Sequence, residues 1–186
     1  MRSLTLACAL AAALAGGTAV GPASAAKSDS CAHCHGTDGN SSSGAFPSLA
    51  GQTKDYLVTQ IRAFKTGARK NAMMSPSVGV LSDKDVEEVA EYYTSQNMTR
   101  GSFKPDPALA AKGKQIADEA GCAACHQPGL KGLGEFPRIA RQKYPYIVKQ
   151  MKDYRDGVRI NPVMSPLAKT FTDEQIEALA NYISGL

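Results

Sequence analysis

The chain has 186 residues, 43% of them apolar and 20% charged, with a formal net charge of +4. That mild balance, with no basic run interleaved with aromatics, gives no footing for nucleic-acid binding. After Arg2, the residues from Leu4 to Val20 form an apolar run too broken by Gly16, Gly17, Gly21 and Pro22 to read as a membrane span.

Taken in order, the first segment reads as a secretory leader. A basic start, an apolar stretch and the small-residue site Ala23-Ser24-Ala25 predict a signal peptide over residues 1–25 and cleavage before Ala26. Cys8 is removed with it, and it lies too near the start to serve as a lipid-anchor cysteine. The expected fate is export, and the remaining cysteines all fall in two short motifs, "CAHCH" at 31–35 and "CAACH" at 122–126.

Thr53 is placed to cap a helix bearing Tyr56, Leu57, Ile61 and Phe64 and ending at Gly67; Ser82-Asp83-Lys84-Asp85 opens another, with Val86, Val89, Ala90 and Tyr93 on one face. "NMTRGSFKPDP" (97–107) carries Gly and two prolines and reads as a connection. Beyond it a helix is expected over 108–120, running into Cys122. Pro145 suits the first turn of a helix carrying Ile147, Met151 and Tyr154, and Thr172 with Gln175 predicts a capping box before Ile176, Leu179, Ala180 and Ile183. No alternating strand pattern competes.

Sliding the sequence by about ninety residues lays the second half on the first. Phe46-Pro47 meets Phe136-Pro137, Gln52 meets Gln142, Tyr56 meets Tyr146 and Gln60 meets Gln150; Gly67-Ala68-Arg69 meets Gly157-Val158-Arg159, and Met74-Ser75-Pro76 meets Met164-Ser165-Pro166. The expected organisation is two all-α domains, 26–100 and 107–186, joined by 101–106. Units this small bury little core, and a large apolar cofactor would supplement it.

C-x-x-C-H is the spacing of c-type haem attachment. Two cysteines one helical turn apart can each form a thioether with a haem vinyl group, while the next histidine turns its imidazole to the iron. Cys31 and Cys34 with His35, and Cys122 and Cys125 with His126, therefore predict two covalently held haems. A thioredoxin-like dithiol would leave both histidines without a role and wants strands; a zinc ribbon wants pairs roughly 15 to 20 residues apart. His33 has Ala124 as its counterpart and is expected to be incidental and exposed.

Each iron needs a sixth ligand, and only His33 remains among histidines. Methionine is the natural choice, its soft thioether favouring ferrous iron. The repeat selects Met74 and Met164, both followed by Ser-Pro; Met73, the neighbouring alternative, faces Val163. The proline suggests a loop that delivers the sulfur. Pro47 and Pro137 are expected to supply carbonyls to the free N–H of His35 and His126, with Phe46 and Phe136 along the haem edge.

On CAHCH with Met74, CAACH with Met164, the two Phe-Pro segments and the G-x-R-x-N stretches before each methionine, the chain resembles the dihaem cytochromes of the cytochrome c4 type. The resemblance implies two class I cytochrome c domains related by a pseudo-twofold, each with one His/Met haem, and one-electron transfer in a bacterial periplasm from a quinol-oxidising complex towards a terminal oxidase. Similar modules serve as cytochrome subunits of periplasmic dehydrogenases, including sulfide-oxidising flavocytochromes. Peripheral membrane association is compatible with such partners. A dihaem peroxidase or thiosulfate-oxidising enzyme would need an opening haem or a cysteine ligand, and the expected mature chain has no spare cysteine, nor a spare histidine beyond His33. One departure is visible: the helix that leads into the second motif has only "AKSDS" as its counterpart after Ala26.

Overall fold

The computed structural model describes residues 22–186, with side chains described from Ser28; residues 1–21 of the expected leader lie outside them. The backbone is helical from Pro22, so α1 (Pro22–His35) runs without a break into the first cysteine motif. The leading helix is therefore present, and it includes the Ala23–Ala25 site; cleavage before Ala26 would keep its part from Ala26 to His35. α2 (Lys54–Thr66), α3 (Met74–Gly79) and α4 (Asp83–Ser95) complete the first half. The second repeats the order with α5 (Pro107–Glu119), α6 (Cys122–His126), α7 (Tyr144–Arg155), α8 (Met164–Ala168) and α9 (Asp173–Gly185). Among the described residues the only β pairing is an isolated bridge between Leu133 and Phe136.

Each half has its own apolar core, as its helical periodicity requires. Leu57, Val58, Ile61 and Phe64 of α2 meet Val86, Val89, Ala90 and Tyr93 of α4 over Val78 and Leu81. Ile116 and Ala117 of α5 meet Ile176, Leu179, Ala180 and Ile183 of α9, with Ile147 and Phe171 closing the side. The α5–α9 crossing is tight enough to need Gly113, where a Cβ would lie 1.9 Å from Ala178 O. The first half has no glycine there. Instead the fully buried Tyr93 of α4 donates its hydroxyl to Ser28 O of α1 at 3.2 Å.

Local signals place most helix ends. Ser82 and Thr172 form the capping boxes, with Asp85 and Gln175 returning a bond to the cap backbone, and Pro145 occupies the first turn of α7. Thr53 departs from expectation: its extended backbone opens α2, but its hydroxyl makes no cap hydrogen bond. The helix before Cys122 also stops short, because Gly121 turns left-handed (φ 66°) and separates α5 from α6.

Tyr56, expected in the first core, instead faces the other half. Arg69 donates to Gln60 Oε1 (2.7 Å), Gln150 Oε1 (2.6 Å) and the Tyr146 hydroxyl (3.0 Å). Arg159 mirrors it on Gln150 Oε1 (2.6 Å), Gln60 Oε1 (2.7 Å) and the Tyr56 hydroxyl (3.0 Å). Each guanidinium also stacks on a ring of its own half, Arg69 over Phe64 and Arg159 over Tyr154. A second buried pair of contacts joins Gln52 to residue 138 and Gln142 to residue 48. The Arg138 guanidinium extends that seam, donating to Ala50 O (2.8 Å) and Gly51 O (3.1 Å) of the first half and to Ala140 O of its own. Burial, with the nearby Arg141 charge adding to it, pulls its pKa down to about 10.

Candidate haem sites

The cysteine pairs stand on single helical turns, at the C-terminal end of α1 and along the length of α6. All four cysteines are half-buried, and none of them pairs in a disulfide. Burial pushes the Cys31 and Cys122 thiols up, the opposite of the depressed thiol that a disulfide-exchange catalyst uses. Among the described residues no cluster of three or more His, Cys, Asp or Glu could hold a metal ion by itself.

Both motif histidines are buried, His35 at 4% and His126 at 7% exposure. His35 Nδ1 lies 2.8 Å from Pro47 O, and His126 Nδ1 lies 2.8 Å from Pro137 O. A carbonyl can only accept, so each contact fixes the proton on Nδ1 and leaves Nε2 with a bare lone pair. Burial disfavours the charged imidazolium and lowers both imidazole pKa values, partly opposed by the carbonyl contact, which raises them. His35 Nε2 is buried with no hydrogen-bond partner among the described residues. A dry, unpaired imidazole nitrogen is costly unless something coordinates it. This orphaned atom, flanked by two thiols on the same turn, fits a covalently attached haem.

Met74 and Met164 are the first residues of α3 and α8, and both are half-buried. Met73 and Val163, one position earlier, are 56% and 53% exposed, so the repeat-matched methionine is the one turned inward. The expected loop is instead the first turn of a short helix. Pro76 and Pro166 are tolerated there because the first N–H groups of a helix have no intrahelical acceptor to lose. Asn71 Oδ1 accepts from the N–H of Met73 (3.0 Å) and Met74 (2.9 Å), and Asn161 Oδ1 accepts from Val163 and Met164 (both 2.9 Å). These asparagines, which spacing alone did not single out, fix the backbone at the start of α3 and α8. The signal was present as the terminal Asn of each G-x-R-x-N stretch.

Phe46 meets the His35 ring edge to face, with centroids 6.2 Å apart, whereas Phe136 is 45% exposed. His33 is exposed, as expected. Pro47 and Phe46 meet the His35 ring, and Pro137 meets the His126 ring. Each half has the makings of a c-type cytochrome domain: two thiols one turn apart, a neutral carbonyl-locked histidine and an inward methionine on a separate short helix.

Comparison with known proteins agrees. A sequence profile described as cytochrome c matches residues 21–96 and again 110–186. Cytochrome c4 of Pseudomonas aeruginosa is 37% identical over 183 residues, covering 92% of this chain and 90% of that protein. A thiosulfate dehydrogenase electron acceptor of Thiomonas intermedia is 37% identical over 171 residues, covering 83% of this chain and 77% of that one. The crystal structure of reduced cytochrome c4 from Pseudomonas stutzeri superposes with a TM-score of 0.82 at 36% identity, covering 88% of this chain and 97% of that chain.

The chain belongs to the cytochrome c family, and within it to the cytochrome c4 type. It carries two covalently bound haem c groups and is an electron carrier with redox partners, not an enzyme.

Proposed function

We propose that His35 with Met74 and His126 with Met164 would hold the irons of the two haems, that Cys31, Cys34, Cys122 and Cys125 would form their thioethers, and that units 26–100 and 107–186 relay single electrons in the periplasm. The observation that carries this reading is the buried, unpartnered His35 Nε2 behind a Nδ1 locked by Pro47. When bound, each haem supplies a one-electron iron couple.

The chain's own residues then do three things. Pro47 and Pro137 hold each imidazole in one orientation and one tautomer. Asn71 and Asn161 pin the backbone that carries each methionine. The two buried cores keep both histidines out of water, so little reorganises when charge changes. One histidine and one methionine held to each iron would leave no position for a substrate, which suits a carrier. The expected route runs from a quinol-oxidising complex towards a terminal oxidase.

A titration of the haem-loaded protein, followed by absorption, tests the assignment. Two one-electron waves are expected, and Met74→Ala should abolish the iron–thioether band of one haem only. Retention of that band at full strength in Met74→Ala, or pigment extractable from denatured protein, overturns it. A second reading, a cytochrome subunit of a dehydrogenase complex, is favoured by the kinship with a thiosulfate dehydrogenase electron acceptor. Co-purification with a large catalytic partner would select it over the free carrier.

A further inference from the structure

In each half, the peptide that orients the ligand histidine is gripped by a glutamine of the opposite half. The peptide unit between Pro47 and Ser48 offers its carbonyl to His35 Nδ1 (2.8 Å) and its Ser48 N–H to Gln142 Oε1 (2.8 Å). Gln142 closes a ring by donating Nε2–H to Ser48 O at 2.9 Å. The unit between Pro137 and Arg138 does the same: its carbonyl meets His126 Nδ1 (2.8 Å), its Arg138 N–H donates to Gln52 Oε1 (2.7 Å), and Gln52 Nε2 returns to Arg138 O at 2.9 Å. Ser48, Gln52, Arg138 and Gln142 are each 2–7% exposed, so both chains run through dry protein.

An amide whose N–H is donated becomes a better acceptor at its oxygen, because resonance moves electron density onto that atom, and consecutive hydrogen bonds strengthen one another at low dielectric. A stronger acceptor draws the Nδ1 proton and makes Nε2 more electron-rich, so the ligand is more basic. A more basic axial ligand favours ferric iron and lowers the potential. The geometry points to a crossed control: Gln142, in the second half, is a positioning residue that lowers the potential of the haem bound through His35, and Gln52, in the first half, does so for the haem bound through His126. This inference rests on His35 and His126 being the ligands, as proposed above. It makes the docked pair of domains, and not either domain alone, the unit that sets both potentials.

The test uses the full haem-loaded chain and the near-isosteric substitutions Gln142→Met and Gln52→Met. Each is titrated electrochemically while ring-nitrogen NMR of histidine-labelled protein follows His33, His35 and His126, the three histidines of the chain. In the wild type the His35 and His126 signals should be displaced by the porphyrin ring current; if they are not, the ligand assignment itself falls, whatever the glutamine variants do. Given that displacement, Gln142→Met should move the His35 Nδ1–H signal towards a weaker hydrogen bond and raise one wave only, and Gln52→Met should do the same to His126 and the other wave. Equal shifts of both waves in either variant, as a merely loosened interface would produce, or no shift of the opposite half's histidine, overturns crossed control. Should a methionine variant fail to fold, Gln142→Asn and Gln52→Asn, which shorten the reach but keep the carboxamide, must give smaller shifts of the same sign and the same crossed pattern; an uncrossed pattern overturns it equally.

Discussion

Replacing Gly113 by alanine should force α5 off α9. An added Cβ would sit 1.9 Å from Ala178 O, 2.5 Å from Ala178 C and 2.9 Å from Tyr182 Cβ. Two of these three are backbone atoms of a packed helix, so no side-chain rotation relieves the clash. Restoring an ordinary separation of roughly 3.5 Å requires the helices to part by more than an ångström, which loosens Ile116 and Ala117 against Ala178 and Leu179. Alanine recovers about 1 kcal/mol of helix propensity, while overpacking against rigid backbone belongs at or above the upper end of a range of roughly 1–3 kcal/mol. The expected net loss is about 2–3 kcal/mol, or roughly 8–24 °C in midpoint for a unit of this size. Thermal or guanidinium unfolding of haem-loaded protein, read at the haem absorption band, measures it. Gly79→Ala is the control: nothing lies within 4 Å of its added Cβ, so a change within about 0.5 kcal/mol is expected. A Gly113→Ala protein as stable as the wild type would refute the close-crossing argument.

Three further outcomes follow from other contacts. Arg159→Leu deletes three donated hydrogen bonds and the stacking on Tyr154; because Gln60 and Gln150 keep their bonds to Arg69, the loss should be about 2–4 kcal/mol. Combined with Tyr56→Phe in a double-mutant cycle, it should show a coupling of about 1 kcal/mol in denaturant midpoints, and additivity would remove Tyr56 from the seam. Separately, hydrogen bonds from Lys152 and Arg155 hold the Asp173 carboxyl below the usual aspartate range. A depressed folded pKa means that its small, solvent-exposed contribution is complete above the ordinary value of about 4 and disappears as pH falls through the lower folded value. Asp173→Asn should therefore flatten the acid limb of a plot of unfolding midpoint against pH, and an unchanged slope would contradict the pairing.

The sequence by itself determined whatever depends on residues close together along the chain. Cys31, Cys34 and His35 meet because one helical turn brings them together, and Ser82 with Asp85 or Thr172 with Gln175 cap helices because three positions apart is one turn. The self-alignment selected Met74 over Met73, and Met74 is the less exposed of the two. Local reading failed where a side chain had two places to go. Thr53 opens α2 through its backbone without using its hydroxyl, and Pro76 enters the first turn of α3 because the donor it lacks was not needed there. Tyr56 has the helical spacing of a core residue, yet it turns to Arg159 across the seam. Gln52 and Gln142 were visible as a repeated pair but not as partners of residues 138 and 48. Those bonds span some ninety positions and exist only at one docking angle of the two halves, which no local periodicity encodes. Tertiary structure alone decided that the carbonyl holding each histidine belongs to a peptide held from the other side.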